Sequence, residues 1–171
     1  LRAFGDGVAA PSANRFGSVS PTSAAHVRES LGDAVDLILD GGPCSVGVES
    51  TIVDLSRSGV PQLLRAGGTP VEELAAVLGA VPQPDAGPAR APGMLAAHYA
   101  PRARVEVFPD GAALAARAAA LLASGTARVG AVLPSQTQAI LPPELTVLAR
   151  PRSPADYARD LYALLRDADA R

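Results

Sequence analysis

The chain has 171 residues with 15 basic and 17 acidic side chains, which gives a formal charge of −2 and a pI of about 5.6. Every basic residue is an arginine, so the chain cannot supply the lysine of a Walker-type phosphate loop or of a Schiff base. The near-neutral charge gives no electrostatic reason to expect a nucleic-acid surface, and no run approaches the ~18 apolar residues of a membrane span.

Helix and strand signals alternate along the first part of the chain. Ser20-Pro21 predicts a helix that ends at Gly32, because a hydroxyl cap followed by proline is typical of a helix start. A capping box at Thr69 predicts a second helix that ends at Gly79. Three apolar segments rich in β-branched residues predict strands: residues 35–39, 46–55 and 63–65.

Five prolines then interrupt this alternation, and such a stretch cannot keep a regular helix or sheet ladder. Beyond it, helices are predicted from about Ala112 to Ser124 and from Ser153-Pro154 onward. Strands between them are predicted over residues 105–108, 129–133 and 145–149. The sequence thus predicts three parts: a β-rich α/β unit over residues 1–81, a Pro-rich linker over 82–103, and a small α/β unit over 104–171.

The densest group of polar side chains surrounds the start of the first predicted helix. Ser12 and Asn14 lie in a turn-prone segment, and Ser20 is the predicted helix cap. Free backbone amides and the positive end of the helix dipole would suit a phosphate or a carboxylate there. The alternative is an ordinary capped loop, which such residues form more often.

Two further polar side chains lie in or beside predicted strands. Ser50 is either a ligand contact or a partly exposed strand residue. Arg65 precedes a glycine turn, where its guanidinium either binds a phosphate or carboxylate or stays solvated at a sheet edge. His26 and His98 have neither a nucleophile elbow nor a placed acidic partner, and with a single cysteine they do not make a metal site. We expect His26 to be solvated.

Four segments occur in the order and approximate spacing of one family: APSANRFGSVSPT, DLILDGGPCSVGVESTIVDL, LLRAGG and APGMLAAHYAP. On these segments the chain resembles the YrdC-like L-threonylcarbamoyladenylate synthases, in the long form with an extra C-terminal domain. The resemblance covers essentially the whole chain. It implies an α/β fold made of the C-terminal half of a YrdC-like twisted α/β sheet domain, a Pro-rich linker and a small Rossmann-like α/β domain.

The resemblance also implies the reaction. L-threonine, bicarbonate and ATP would be joined to threonylcarbamoyl-AMP with release of pyrophosphate, a nucleotidyltransferase reaction assisted by Mg²⁺. The product would pass to a tRNA threonylcarbamoyl transferase complex for threonylcarbamoyladenosine formation. We expect positioning and neutralisation of phosphate charge rather than acid–base catalysis. No direct nucleic-acid binding, no membrane and no metal held by protein side chains are expected.

Site residues follow from the same resemblance. Three side chains are expected to contact ATP: Ser12, Ser20 and Arg65. Two residues are expected at L-threonine: Ala10, through its backbone, and Ser50. Three more candidates complete the set: Asn14, His98 and Tyr99. The last two lie in the linker, which would fold over the site and keep water from the labile product.

Departures from the family pattern give further expectations. The family's catalytic domain begins upstream of Leu1 with lysine and arginine contacts, and relatives continue beyond Arg171, so we expect an internal window without activity of its own. Residues 95–97 replace the basic and aromatic residues usual before the HYAP block. Cys44, the single cysteine, favours a reducing, cytoplasmic location. Two alternatives are an RNA-binding or regulatory YrdC-like module without synthase activity, and a carbamoyl-transfer domain of the hydrogenase-maturation type.

Overall fold

The computed structural model describes residues 2–56, 59–85, 87, 100–125 and 128–171. The helices are α1 (Ala24–Leu31), α2 (Val71–Leu78), α3 (Gly111–Ala123) and α4 (Pro154–Ala170), with a 3₁₀ turn at Gly32–Ala34. The strands are β1 (Ile52–Asp54), β2 (Gln62–Arg65), β3 (Gln83–Pro84), β4 (Gly130–Val132) and β5 (Thr146–Ala149). They form two small sheets, in the orders β1–β2–β3 and β4–β5. The predicted α/β class is confirmed.

The two helices of the second half lie close to their predicted bounds, and each begins at a side-chain cap. The Ser153 hydroxyl caps α4 by accepting the amide of Asp156 at 3.1 Å, as predicted. α3 begins at Gly111, one residue before the predicted start, because the Asp110 carboxylate accepts the amide of Ala113 at 2.8 Å. In both helices a side chain satisfies an amide that the first turn leaves unpaired.

The predicted caps of the first two helices are wrong. α1 is capped by Ser23, whose hydroxyl accepts the amide of His26, and not by Ser20. α2 has no side-chain cap. Thr69 does not serve as one; its amide and carbonyl both bond to the Thr51 hydroxyl, at 3.1 and 2.8 Å. The cap of α1 therefore lies three residues beyond the predicted one, and the backbone of Thr69 is held by a residue distant in sequence.

Two predicted strands are absent from the described residues, those over 35–39 and 105–108. A strand needs a neighbour for its backbone hydrogen bonds, and no described strand pairs with either segment. Leu37 and Leu39 are accordingly 74% and 84% exposed, and Val107 is 92% exposed. The strand predicted over 46–55 is reduced to β1, whereas the predictions for β2, β4 and β5 are confirmed.

Register in the first sheet brings the end of β2 beside the segment before β1. β1 runs antiparallel to β2 and places Ile52 opposite Arg65, with a bulge before Val53. β2 runs parallel to β3, which lies at the start of the segment predicted as a linker. Most of that segment lies outside the described residues, so the three-part division stays a prediction. β4 and β5 are parallel.

Apolar burial is concentrated in the second half of the chain. Its core consists of four residues: Ala118, Ala131, Leu133 and Leu145. In the first half the buried side chains lie just before α1, where Val19, Ser20 and Thr22 are 3%, 6% and 7% exposed. Burial in the first half therefore centres on the approach to α1. No helix in the described part of the chain is long and apolar enough to cross a membrane.

Helix α4 contacts several parts of the chain. The Asp169 carboxylate accepts the amides of Arg102 and Ala103 at 3.0 and 2.7 Å, which fixes the chain where it leaves the predicted linker. Arg166 contacts three groups of α1 and the Val19 carbonyl before it. Arg166 thus joins α4 to the first half of the chain by polar contacts.

Candidate functional site

Arg65 lies at the end of β2 with its guanidinium against the segment before β1. Nε donates to the Ser50 carbonyl at 2.9 Å and Nη2 donates to the Ser50 hydroxyl at 3.0 Å. Nη2 also lies 3.6 Å from Glu49 Oε2. The Arg65 side chain is only 11% exposed, so the alternative of a solvated charge at a sheet edge is wrong.

Ser20 joins the same group from a different part of the chain. Its buried hydroxyl donates to Glu49 Oε1, so Glu49 holds Ser20 with one oxygen and faces Arg65 with the other. Two hydroxyls, a guanidinium and a single carboxylate therefore meet in one place. We call Ser20, Glu49, Ser50 and Arg65 the polar cluster.

Glu49 is the member of this cluster that was not predicted as a site residue. Alternation along a strand would place Glu49 and Ser50 on opposite sides. Both reach Arg65 because β1 begins only at Ile52, and residues 49–50 lie outside the strand. The sequence feature that could have identified Glu49 is its position as an acidic residue directly beside the predicted ligand contact Ser50.

The glycine turn after Arg65 packs against the backbone of the cluster. The Gly68 amide donates to the Glu49 carbonyl at 2.8 Å. A Cβ added to Gly67 would overlap the backbone of Glu49, Ser50 and Thr51. The glycine at position 67 is therefore required for this close approach of two chain segments.

The segment that carries Ala10, Ser12 and Asn14 is only partly integrated with the cluster. Ala10 and Ser12 are exposed, and no hydrogen bond within the described residues joins Ser12 to the polar cluster. Asn14 Nδ2 donates to the carbonyls of Ser18 and Arg15 at 2.8 and 3.1 Å, which closes the loop before Ser20. Its Oδ1 is buried and has no hydrogen-bond partner within the described residues. Asn14 therefore shapes the loop that leads to Ser20.

His98 and Tyr99, the two linker candidates, lie outside the described residues and remain predictions. The next residue is described: the Ala100 amide donates to the Gly17 carbonyl at 3.1 Å. The chain that follows Tyr99 is therefore anchored to the loop that Asn14 closes.

His26 is half-buried, contrary to the expectation that it would be solvated. Its Nδ1 accepts the Thr22 amide at 3.2 Å, which ties α1 to the chain before it. Burial lowers the pKa of His26 below its ordinary value, and the nearby Arg166 cation lowers the pKa further. Glu29 acts in the opposite direction. His26 therefore supports the local structure in its neutral form.

The side chains of the polar cluster do not build a metal site. No group of three or more histidine, cysteine, aspartate or glutamate side chains occurs within the described residues. Glu49 is the only carboxylate in the cluster, and its two oxygens already face Ser20 and Arg65. A protein-held Mg²⁺ needs a free carboxylate oxygen. The cluster instead offers hydroxyl and guanidinium donors, which suit anionic ligands.

A cleft of about 1490 Å³ lies in the second half of the chain, between α3, β4, β5 and α4. Its lining includes the core residues Leu133 and Leu145, so it is the open side of that core. None of the predicted site residues in the described part of the chain lines it. The cleft and the polar cluster are therefore separate features.

Two family models together match almost the entire chain. Residues 1–67 match the model described as Telomere recombination. Residues 69–171, more than half of the chain, match the model described as Threonylcarbamoyl-AMP synthase, C-terminal domain.

Curated relatives agree with these matches. The threonylcarbamoyl-AMP synthase of Pyrococcus abyssi is 48% identical over 106 residues, which are 58% of this chain and 31% of that protein. The threonylcarbamoyl-AMP synthase of Bacillus subtilis is 41% identical over 113 residues, 63% of this chain and 32% of that protein. The chain thus spans about a third of the length of these relatives.

Solved structures support the same conclusion. P. abyssi Sua5 complexed with L-threonine superposes with a TM-score of 0.78 at 35% identity, over 94% of this chain and 48% of that one. A variant of P. abyssi Sua5 with a histidine and a tyrosine replaced by alanine gives a TM-score of 0.68 at 28% identity, over 94% and 47%. The fold, the order of the segments and the family matches agree, and the chain belongs to the threonylcarbamoyl-AMP synthase family.

Proposed function

We propose that this chain forms part of the substrate site of an enzyme that joins L-threonine, bicarbonate and ATP to threonylcarbamoyl-AMP and pyrophosphate. The observation that carries the proposal is the polar cluster, which collects Ser20, Ser50 and Arg65 from three separate segments. The resemblance had assigned all three to substrate contacts. Relatives named threonylcarbamoyl-AMP synthase, and one solved with L-threonine, support the proposal.

In this proposal the cluster holds two substrates side by side. Arg65 and Ser20 contact ATP, and Ser50 contacts L-threonine. The Arg65–Ser50 hydrogen bond of 3.0 Å supports adjacent placement, which a reaction between the two substrates requires. Ala10 and Ser12 join from their exposed loop, at threonine and at ATP respectively. Asn14 contributes by shaping that loop.

The amine nitrogen of L-threonine first bonds to the carbon of bicarbonate, and water leaves with one amine proton, which gives the carbamate. A carbamate oxygen then bonds to the α-phosphorus of ATP, while the bond from that phosphorus to pyrophosphate breaks. Negative charge shifts towards the leaving group, so a fixed cation is the most useful protein group. Arg65 supplies this charge, and the hydroxyls of Ser20 and Ser50 orient the substrates. None of these groups needs to exchange a proton. Mg²⁺ belongs to the substrate here, bound to ATP phosphates.

The remaining expectations belong to the same proposal. Residues 1–81 would be the catalytic part, 82–103 a Pro-rich linker and 104–171 a small Rossmann-like domain. His98 and Tyr99 would cover the site and exclude water from the product. The product would pass to a tRNA threonylcarbamoyl transferase complex, without direct nucleic-acid binding by this chain. The single cysteine supports a cytoplasmic location.

Direct binding of each substrate to the 171-residue chain tests the proposal. Calorimetric titrations with L-threonine and with ATP would be compared among wild type, Ser50→Ala, Arg65→Ala and the control Ser135→Ala, an exposed serine far from the cluster in sequence. We expect S50A to weaken threonine binding and R65A to weaken ATP binding. Because the chain spans 48% of the solved relative, we expect no pyrophosphate release from the chain alone.

Three results would contradict the proposal. The first is that neither substrate binds the wild-type chain. The second is that S50A and S135A bind threonine equally well. The third is tight tRNA binding that weakens steeply with salt, since this would favour the RNA-binding module instead.

A further inference from the structure

One arginine of α4 connects the second half of the chain to α1. Arg166 Nη1 donates to the Val19 carbonyl at 2.8 Å. Nη2 donates to the Ser30 hydroxyl at 2.9 Å and to the His26 carbonyl at 3.2 Å. The same nitrogen lies 2.8 Å from Glu29 Oε2. Arg166 therefore holds both the approach to α1 and its last turns.

This connection is made away from solvent. The Arg166 side chain is 12% exposed, and its Nε is buried with no hydrogen-bond partner within the described residues. Burying the unpaired Nε donor destabilises the folded chain, and the hydrogen bonds of the two terminal nitrogens offset this loss. A planar guanidinium can donate to the Val19 carbonyl and to groups of α1 at the same time, which a lysine ammonium on a flexible stem cannot.

The Val19 carbonyl belongs to the peptide bond that leads into Ser20 of the polar cluster. Val19 immediately precedes Ser20, and the two are 3% and 6% exposed. The Ser20 hydroxyl donates to Glu49. Fixing the Val19 carbonyl limits rotation of the peptide plane that leads into Ser20, and thereby fixes where the Ser20 hydroxyl points.

We propose that Arg166 is a positioning residue for Ser20, acting from α4 on the backbone that presents this hydroxyl to the nucleotide. The role of Ser20 at ATP rests on the proposed function; the effect of Arg166 on Ser20 does not. Loss of Arg166 should weaken ATP binding and leave threonine binding unchanged, because the Ser50–Arg65 contact does not pass through Val19.

Amide hydrogen exchange of the 171-residue chain tests the positioning directly. The reporters are two hydrogen bonds of Thr22, which lies between Val19 and α1 in the chain: the Thr22 amide to His26 Nδ1 at 3.2 Å, and the Cys44 amide to the Thr22 carbonyl at 2.9 Å. We expect Arg166→Leu to speed exchange at both amides about 10-fold, corresponding to ~1.4 kcal/mol of lost local stability. Exchange at Leu133, in the β4–β5 core, should not change.

Two further variants keep the result interpretable. Arg159→Gln removes an arginine of the same helix whose guanidinium, within the described residues, bonds to Asp156 and Asp160 of α4 and to no group of α1, so it should leave the reporter amides unchanged. Arg166→Lys keeps the charge near Glu29 and should give intermediate exchange. If Arg166→Leu fails to fold, the comparison of Arg166→Lys with Arg159→Gln decides. Unchanged exchange at Thr22 and Cys44 in the Arg166 variants would overturn the proposal.

Ligand titrations separate this inference from the proposed function. We expect the Arg166 variants to raise the Kd for ATP about 10-fold with an unchanged Kd for L-threonine. An equal loss for both ligands would indicate general destabilisation and would also overturn the positioning role. If the wild-type chain binds neither ligand, the proposed function fails, while the exchange result still decides whether Arg166 positions Ser20.

Discussion

Arg65 Nη2 donates a hydrogen bond to the Ser50 hydroxyl at 3.0 Å, although the two residues are 15 positions apart in the chain. The cation expected at ATP and the hydroxyl expected at L-threonine are therefore direct neighbours. The contact exists because β1 and β2 are antiparallel and place Ile52 opposite Arg65. Sheet register thus determines how close the two proposed substrate contacts lie.

Replacing Arg65 by lysine should weaken ATP binding although the charge is kept. One ammonium cannot reproduce the separate donations of Nε and Nη2 to the two oxygens of Ser50. In the proposed complex, losing one charge-assisted hydrogen bond from the guanidinium to an ATP phosphate costs about 1.5–3 kcal/mol, so we expect the Kd for ATP to rise at least 10-fold. Calorimetric titration measures it, with the exposed Arg28→Lys on α1 as control. An unchanged Kd in R65K would show that charge alone suffices.

Glu49 should stabilise the chain by pairing two groups at once. Glu49→Gln keeps an acceptor for Ser20 but removes the ion pair with Arg65, whereas Glu49→Ala removes both. We expect E49A to lower the free energy of unfolding by about 1–3 kcal/mol, and E49Q by less, because an unpaired buried hydroxyl adds its own cost. Urea denaturation measures both variants. Equal losses would mean that the Ser20–Glu49 bond contributes nothing.

Sequence reasoning succeeded where short-range chemistry decides the structure. The cap at Ser153 depends on an amide three residues away, and it is confirmed. The predicted cap at Ser20 is wrong because α1 begins only at Ala24, where Ser23 supplies the cap. The Ser20 hydroxyl instead donates to Glu49, 29 residues further along the chain. The apolar segment 35–39 has strand composition but no partner strand among the described residues. The need for a long-range strand partner, which a single sequence does not reveal, accounts for the absent strand.

The residues of the candidate site could be predicted only in part, because the polar cluster forms where distant segments meet. The family resemblance named Ser20, Ser50 and Arg65 among eight candidates, and the structure places these three together in the polar cluster. Their contacts with substrates stay a prediction. It did not single out Glu49, whose role becomes visible only when two distant segments meet. The predictions for His98 and Tyr99 lie outside the described residues and await experiment.

Replacing Gly67 by alanine should displace the backbone that carries Glu49 and Ser50 of the polar cluster. The added methyl group would overlap the backbone of Glu49, Ser50 and Thr51, none of which can rotate away as a side chain can. Overpacking of this kind typically costs about 1–3 kcal/mol of unfolding free energy. Gly41→Ala is the matched control, since a Cβ there meets nothing within 4 Å. Urea denaturation of both variants checks the prediction, which fails if they lose equal stability.

Stability should fall as the pH drops below the ordinary pKa of His26. Burial, and then the Arg166 cation, lower the pKa of His26 from 6.5, while Glu29 opposes them. Between the lowered folded pKa of His26 and 6.5, the unfolded chain binds more protons than the folded chain. The free energy of unfolding therefore decreases with falling pH in that window.

The variant His26→Asn keeps an acceptor for the Thr22 amide but does not titrate in this window. Urea midpoints at several values between pH 7.5 and 5 would compare the two proteins, and we expect the wild type to lose more stability than H26N. Parallel pH profiles would mean that the pKa of His26 is the same in the folded and unfolded chains, and would remove the electrostatic coupling between Arg166 and α1.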